Sequence, residues 1–233
     1  MKYSRRQPET IRELFDSIAP EYDRANRILS LGLYHRWNQY LARTMLEART
    51  PRNLCDLCSG TGEVIRELER SLATRELPEI HCVDFSQAML EVAKSKNPYP
   101  TYHVADVLKL PFADQSFDTL TCAWGIRNVS DHEQCLKEAA RVLTPRGHFY
   151  ILELTRPRSK WIRFIHEFYL GHCVPLLGKW IARNEEAYLY LQESIDSFVS
   201  PEKLILHAQT AGFQKIEKKP LVFGIATLFI LER

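Results

Sequence analysis

The sequence predicts an α/β fold built on a mostly parallel sheet, and three observations carry that expectation. Strand-like and helix-like segments alternate from Leu54 to about Glu153, as they do where helices cover both faces of a parallel sheet. The 233 residues are 45% apolar and 26% charged, enough to bury one substantial core. A glycine turn, Asp56-Leu57-Cys58-Ser59-Gly60-Thr61-Gly62, joins the first strand to the helix that follows it. There a ligand can come close to backbone N–H groups at a helix N-terminus.

Five strands are expected at Asn53–Leu57, Ile80–Asp84, Thr101–Ala105, Phe117–Trp124 and His148–Leu154. Between them, apolar spacing predicts helices over Glu63–Leu72, Gln87–Lys96 and His132–Leu143. Ser86 and Asp131 are placed to cap the second and third of these. Pro145 and Gly147 break the chain before the fifth strand. A helical lead-in spans residues 8–48 ahead of the core (53–155). A second helical stretch occupies 157–198, and residues 200–233 hold a helix, Pro201–Ala211, and a hairpin, Phe213 to Leu231. The hairpin brings the sheet to seven strands in a single domain, 1–233.

A formal net charge of +2 argues against a nucleic-acid binder, which carries a dense basic face. The short basic run Lys215–Lys219 reads as a solvated strand edge. Of six cysteines, Cys55 and Cys58 form a pair without a second pair at zinc spacing. They read as core residues, and the chain as belonging to a reducing cytoplasm. Met1–Thr10 lacks an apolar signal segment. The apolar run Leu221–Leu231 falls short of the ~20 residues that span a bilayer, so membrane contact is expected only at the surface.

The neighbours of the glycines select the ligand. Ile65 follows them where a dinucleotide fingerprint has its third glycine, which counts against a nicotinamide-dependent oxidoreductase. A carboxylate at Asp56 repels a pyrophosphate and attracts an ammonium or sulfonium. Asp84, about 20 residues after the turn, suits two ribose hydroxyls. Asp106 can accept from an adenine amino group, with the Val107 N–H beside it. Acidic residues at three successive strand ends fit S-adenosylmethionine, held by Asp56, Ser59, Gly60, Thr61, Gly62, Asp84, Phe85, Asp106 and Val107.

Further motifs resemble one family over most of the chain. They are Phe15-Asp16-Ser17-Ile18-Ala19-Pro20-Glu21-Tyr22-Asp23, Gly125-Ile126-Arg127-Asn128-Val129, and Tyr190-Leu191 followed by Glu193-Ser194-Ile195. In these the chain is similar to the UbiE/MenG family, the C-methyltransferases of ubiquinone and menaquinone biosynthesis. The resemblance implies a class I S-adenosylmethionine-dependent methyltransferase fold, Rossmann-like, with helical additions. It implies a prenylated quinol as acceptor, naphthoquinol or benzoquinol. It also places Ala123 beside the cosubstrate, where a small polar residue is usual. The alternatives are another lipid or small aromatic acceptor, or a non-catalytic member of a quinone-making assembly.

A quinol needs an aromatic, water-excluding pocket, for which Phe15, Tyr22, Trp37, Phe168, Tyr169, Tyr188 and Tyr190 are available. The donor carries its own activating charge, so the reaction requires no metal. Arg127 is the first catalytic candidate, as an oxyanion stabiliser or a holder of water, with Asn128 and Tyr22 in support. Its competing role is a salt bridge tying its loop to the helical addition. His35, His166 and His172 have the chemistry of bases, though surface or packing roles suit each. Trp161, Phe164, Phe168, Leu176, Leu177 and Trp180, with Arg158, Lys160, Arg163 and Lys179, suit contact with the inner face of a membrane; the competing role is to cap the core. Oligomeric state stays open, a homodimer included.

Overall fold

The computed structural model describes residues 8–72, 77–174 and 185–233, with the backbone alone at 185–189. Strands β1 (Asn53–Leu57), β2 (Glu79–Asp84), β3 (Thr101–Val104), β4 (Phe117–Ala123) and β5 (Leu143–Leu154) pair in parallel. The hairpin strands β6 (Lys215–Leu221) and β7 (Ala226–Glu232) are antiparallel, β7 lying against β5. The order across the sheet is β3-β2-β1-β4-β5-β7-β6. Strand order therefore reverses between β1 and β4, and a crevice opens at their carboxyl ends, where α/β sheets bind ligands.

Alternation along β5 divides the core into two layers. Phe149 and Ile151 pack with Leu136 and Ala139 of α6 (His132–Val142), and Tyr150 and Leu152 pack on the opposite face with Leu41 and Met45. The latter two belong to the lead-in, which forms α1 (Pro8–Ile18), α2 (Tyr22–Leu29) and α3 (Leu33–Ala48). Pro20 sits in the tight turn between α1 and α2, and Gly32, at φ +80°, turns the chain into α3. Helices α4 (Glu63–Leu72) and α5 (Gln87–Lys96) connect the first three strands. Ser86 accepts from the Met89 N–H at 3.1 Å and Asp131 from the Gln134 N–H at 3.0 Å, so both predicted caps form.

One expectation is corrected. Pro145 and Gly147 do not break the chain ahead of β5; the strand begins at Leu143, and a register shift opposite Phe117 and Thr119 absorbs them. A proline is tolerated at such an irregularity because no ladder N–H is needed there. Among the described residues, the helical stretch after β5 comprises α7 (Lys160–Phe168), a wider π-helical turn at Tyr169–Cys173, and α8 (Glu185–Ser197), followed by α9 (Pro201–Thr210). Leu176, Leu177, Lys179 and Trp180 lie outside the described residues, as does the side chain of Tyr188. At the sheet edge, Lys215 and Lys218 of β6 pair with Glu232 and Glu202.

One close approach holds the crevice together. A Cβ at Gly125, just after β4, would lie 2.3 Å from Cys58 Cβ in the loop after β1. Gly125→Ala must push these two loops apart, and we expect a loss of roughly 1–3 kcal/mol, typical of overpacking, read by denaturant unfolding.

Candidate active site

A cavity of about 400 Å³ fills the crevice. Its first wall is the loop Ser59, Gly60 and Thr61 with Asp84, Phe85, Asp106, Val107 and Ala123. Its second wall is Arg127 and Asn128 from the loop after β4, with Tyr190, Glu193 and Ser194 from α8. Ile11 and Phe15 of α1 and Tyr22 of α2 close it.

Backbone geometry shapes the first wall. Gly60 and Gly62 take φ of +52° and +77°, a region that glycine enters without a Cβ clash. The Asp84 carboxylate accepts from the Gly60 N–H at 2.8 Å and the Ser86 N–H at 2.9 Å, which fixes the loop against the end of β2. Asp106 accepts from the Leu108 N–H at 2.9 Å. Among the described residues neither carboxylate pairs with a basic side chain, and the Ser59 hydroxyl is buried without a hydrogen-bond partner. A wall with two unneutralised carboxylates and an unused hydroxyl fits a cationic, hydroxyl-rich ligand such as S-adenosylmethionine.

Asp56 and Gly62 do not line the cavity. Asp56 stands opposite Thr121 across the β1–β4 ladder and accepts from its hydroxyl at 2.6 Å, leaving Oδ2 buried and unpartnered among the described residues. Burial, set against the Thr121 bond and reinforced by Asp84, pushes its pKa up to about 7. Burial pushes Asp84 up to about 6 against the pull of its backbone N–H partners. Gly62 begins the first turn of α4, its carbonyl accepting from the Arg66 N–H.

On the second wall the Arg127 guanidinium is buried. It donates to Glu153 and to the Trp124 carbonyl at 2.6 Å each, and to Ser194 at 3.2 Å. The ion pair joins this loop to β5 and not to the helical addition, which Arg127 reaches only through its hydrogen bond to Ser194. Burial pulls the guanidinium pKa down, but Glu153 and Tyr22 outweigh it and the net shift is upward. Asn128 accepts from the Tyr190 hydroxyl at 2.9 Å. Burial raises the Tyr22 phenol although Arg127 opposes it.

Of the aromatic candidates, Phe15, Tyr22 and Tyr190 meet at the cavity. Phe15 packs edge-on against Tyr22 at 6.1 Å, Tyr190 at 6.2 Å and Phe85 at 6.3 Å. Trp37 instead packs on Trp124 at 5.4 Å inside the core. Phe168 is exposed, and Tyr169 donates to the Leu29 carbonyl. His35, His166 and His172 are absent from the lining. His35 lies against Glu67, and His172 stacks on Phe168.

Sequence reasoning missed four residues. Asp23 accepts from Thr61 at 2.5 Å and pairs with Lys96, and Asp16 accepts from Ser86 at 2.5 Å, so α1 and α2 are tied to the cosubstrate loops. The two aspartates lie on different helices, Asp16 on α1 and Asp23 on α2, so no single-helix spacing announced them. His132 and Glu193 line the cavity, and His132 Nε2 and Glu193 Oε2 are buried without partners among the described residues. Only the fold brings those two together.

The sheet order, the glycine turn and the carboxylates at the strand ends define an S-adenosylmethionine-dependent methyltransferase. The chain belongs to the ubiE/COQ5 methyltransferase family, whose model matches residues 3–231. It is 43% identical to the demethylmenaquinone methyltransferase of Protochlamydia amoebophila, over 97% of this chain and 96% of that protein. It is 37% identical to the ubiquinone/menaquinone biosynthesis C-methyltransferase UbiE of Campylobacter jejuni, over 97% and 98%. Among solved structures, an S-adenosylmethionine-dependent methyltransferase from Thermotoga maritima shares the fold, with a TM-score of 0.63 at 19% identity over 94% of this chain and 98% of that one.

If Asp84 is the acceptor for ribose hydroxyls, as its place at the end of β2 implies, calorimetry of Asp84→Ala should record a loss of S-adenosylmethionine affinity of roughly 1.5–3 kcal/mol. The raised pKa values of Asp56 and Asp84 give a second expectation. Between about pH 4 and about pH 7 the ligand-free fold holds protons that the unfolded chain has lost, so these groups lower stability as pH rises. Affinity for a cationic ligand should move the opposite way, rising as the carboxylates ionise, by up to about tenfold per pH unit for each proton released.

Proposed function

We propose that the protein methylates a ring carbon of a prenylated quinol, demethylmenaquinol or the equivalent benzoquinol. The observation that carries this reading is the set of groups facing the glycine-loop wall: a buried guanidinium, a carboxylate oxygen unpaired among the described residues, and the rings of Phe15, Tyr22 and Tyr190. The names of the relatives from Protochlamydia and Campylobacter support the same acceptor class.

Bound S-adenosylmethionine supplies a methyl carbon already activated by the sulfonium charge. The chain's own residues have three tasks. Phe15, Tyr22 and Tyr190 exclude water from the ring. Arg127, fixed by Glu153 and Ser194, presents positive charge where a phenolate develops; it stays protonated and so does not act as the base. Glu193 takes the hydroxyl proton. A phenol with a pKa of ~10 is a poor nucleophile until that proton leaves. The ring carbon then attacks the methyl as the S–CH3 bond breaks and S-adenosylhomocysteine departs, and loss of the hydrogen on that ring carbon as a proton to solvent restores the aromatic quinol. A carboxylate oxygen that lacks a partner loses none on accepting the hydroxyl proton.

Mass spectrometry of a short-tailed demethylmenaquinol incubated with enzyme and S-adenosylmethionine should record the gain of one methyl group. Glu193→Gln keeps the shape and removes the base, and we expect kcat to fall about 10²-fold or more with S-adenosylmethionine affinity unchanged. Arg127→Lys keeps the charge but cannot serve Glu153, Ser194 and the Trp124 carbonyl together. It should lose methyl transfer while cosubstrate affinity stays within a few-fold; turnover near the wild-type rate would refute a specific guanidinium role.

A further inference from the structure

Helix α7 is turned inside out. Its apolar residues recur at the spacing of one helical face, yet Trp161 is 74% exposed, Phe164 and Ile165 61% each, and Phe168 53%. None of its nine residues is buried. Exposed apolar side chains also flank both of its ends. Near the start, the β6–β7 turn packs against Pro157, whose carbonyl accepts from Arg163, and there Phe223 is 78% exposed at a φ of +58°. Beyond the far end, the Tyr169 hydroxyl binds the Leu29 carbonyl, and two residues on Leu31 is 75% exposed at a φ of +52°. Bulky side chains are rarely held at positive φ, and here two such turns present them to solvent.

A second, apolar cavity of about 60 Å³ shares Phe15, Tyr22, Arg127 and Tyr190 with the active site and continues past Ile18 and Ala25 to Leu29. An apolar path thus leads from the ring-binding wall towards the Leu31 end of the exposed face. From Arg156 to His172 the chain carries four Lys or Arg residues and one acidic residue, although Arg156 and Arg158 already contact Asp196 and Glu202. Lys160 and Arg163 remain exposed on the helix beside Glu167.

We propose that this face, α7 with Leu31 and Phe223 at its flanks, docks on the surface of an anionic lipid bilayer and admits the acceptor's apolar tail along the path past Leu29. The inference rests on the prenylated acceptor proposed above. An apolar stripe bordered by basic side chains is the pattern of helices that lie in the membrane interface. No helix among the described residues is long and apolar enough to cross a membrane.

The test uses the full chain and vesicles of equal parts phosphatidylcholine and phosphatidylglycerol. Wild-type protein should float with the vesicles, and less so at high salt. The double variant Trp161→Glu with Phe164→Glu should lose about tenfold or more in partitioning, with unchanged thermal unfolding and unchanged turnover of a soluble short-tailed quinol. Its turnover of a long-tailed quinol held in vesicles should fall in parallel. Wild-type protein that stays with the solution at every salt concentration overturns the proposal. So does a concentration-dependent dimer that the double variant abolishes, since a second copy would then be the occupant. Vesicle binding that the variant weakens, without turnover of any quinol, would keep the docking face and sink the acceptor assignment.

Discussion

The buried ion pair between Arg127 and Glu153 is the contact on which the site depends. Glu153 lies in β5, Arg127 stands in the loop after β4, and Ser194 belongs to α8, which follows β5 in the chain. Three elements that are distant in sequence thus converge on one guanidinium. Removing either charge would leave the other buried and uncompensated, at a cost of about 3–5 kcal/mol. The pair also couples the two halves of the cavity, because the loop it anchors carries Gly125, whose missing side chain lets Cys58 approach from the cosubstrate loop.

Asp16 and Asp23 play a parallel part on the opposite side. Each accepts from a hydroxyl in a cosubstrate loop, Ser86 in one case and Thr61 in the other. Helices α1 and α2 therefore sit over the cavity by directed hydrogen bonds as well as by packing of Phe15. The aromatic contacts of Phe15 run from Phe85, on the glycine-loop wall, to Tyr22 and Tyr190 across the cavity. A single ring spans both halves of the site.

Features that depend on local periodicity were legible in the sequence: the first three strands to within about two residues, the caps Ser86 and Asp131, and the positive-φ glycines of the turn. Asp84, Asp106, Arg127, Asn128 and Tyr22 reach the cavity as their positions implied. Asp56 does not, because strand alternation turns its side chain toward Thr121. Trp37 was indistinguishable from a pocket residue until its stacking on Trp124 was known. Glu193 and His132 come from helices that only the tertiary fold brings to the same wall. The wider turn at Tyr169–Cys173 carries no proline or glycine cluster to announce it, only Gly171.

The lysine-bearing edge of the sheet has a consequence for association. Strand β6 spends its inner side on β7 and turns an outer row of backbone groups to solvent, interrupted by Pro220, which has no N–H to offer. A second chain adding there would bring its own strand against Lys215, Lys218 and Lys219, and against a gap in the donor row. Charge and proline of this kind blunt an edge that would otherwise template further strands. Self-assembly by sheet extension is thereby disfavoured at this edge.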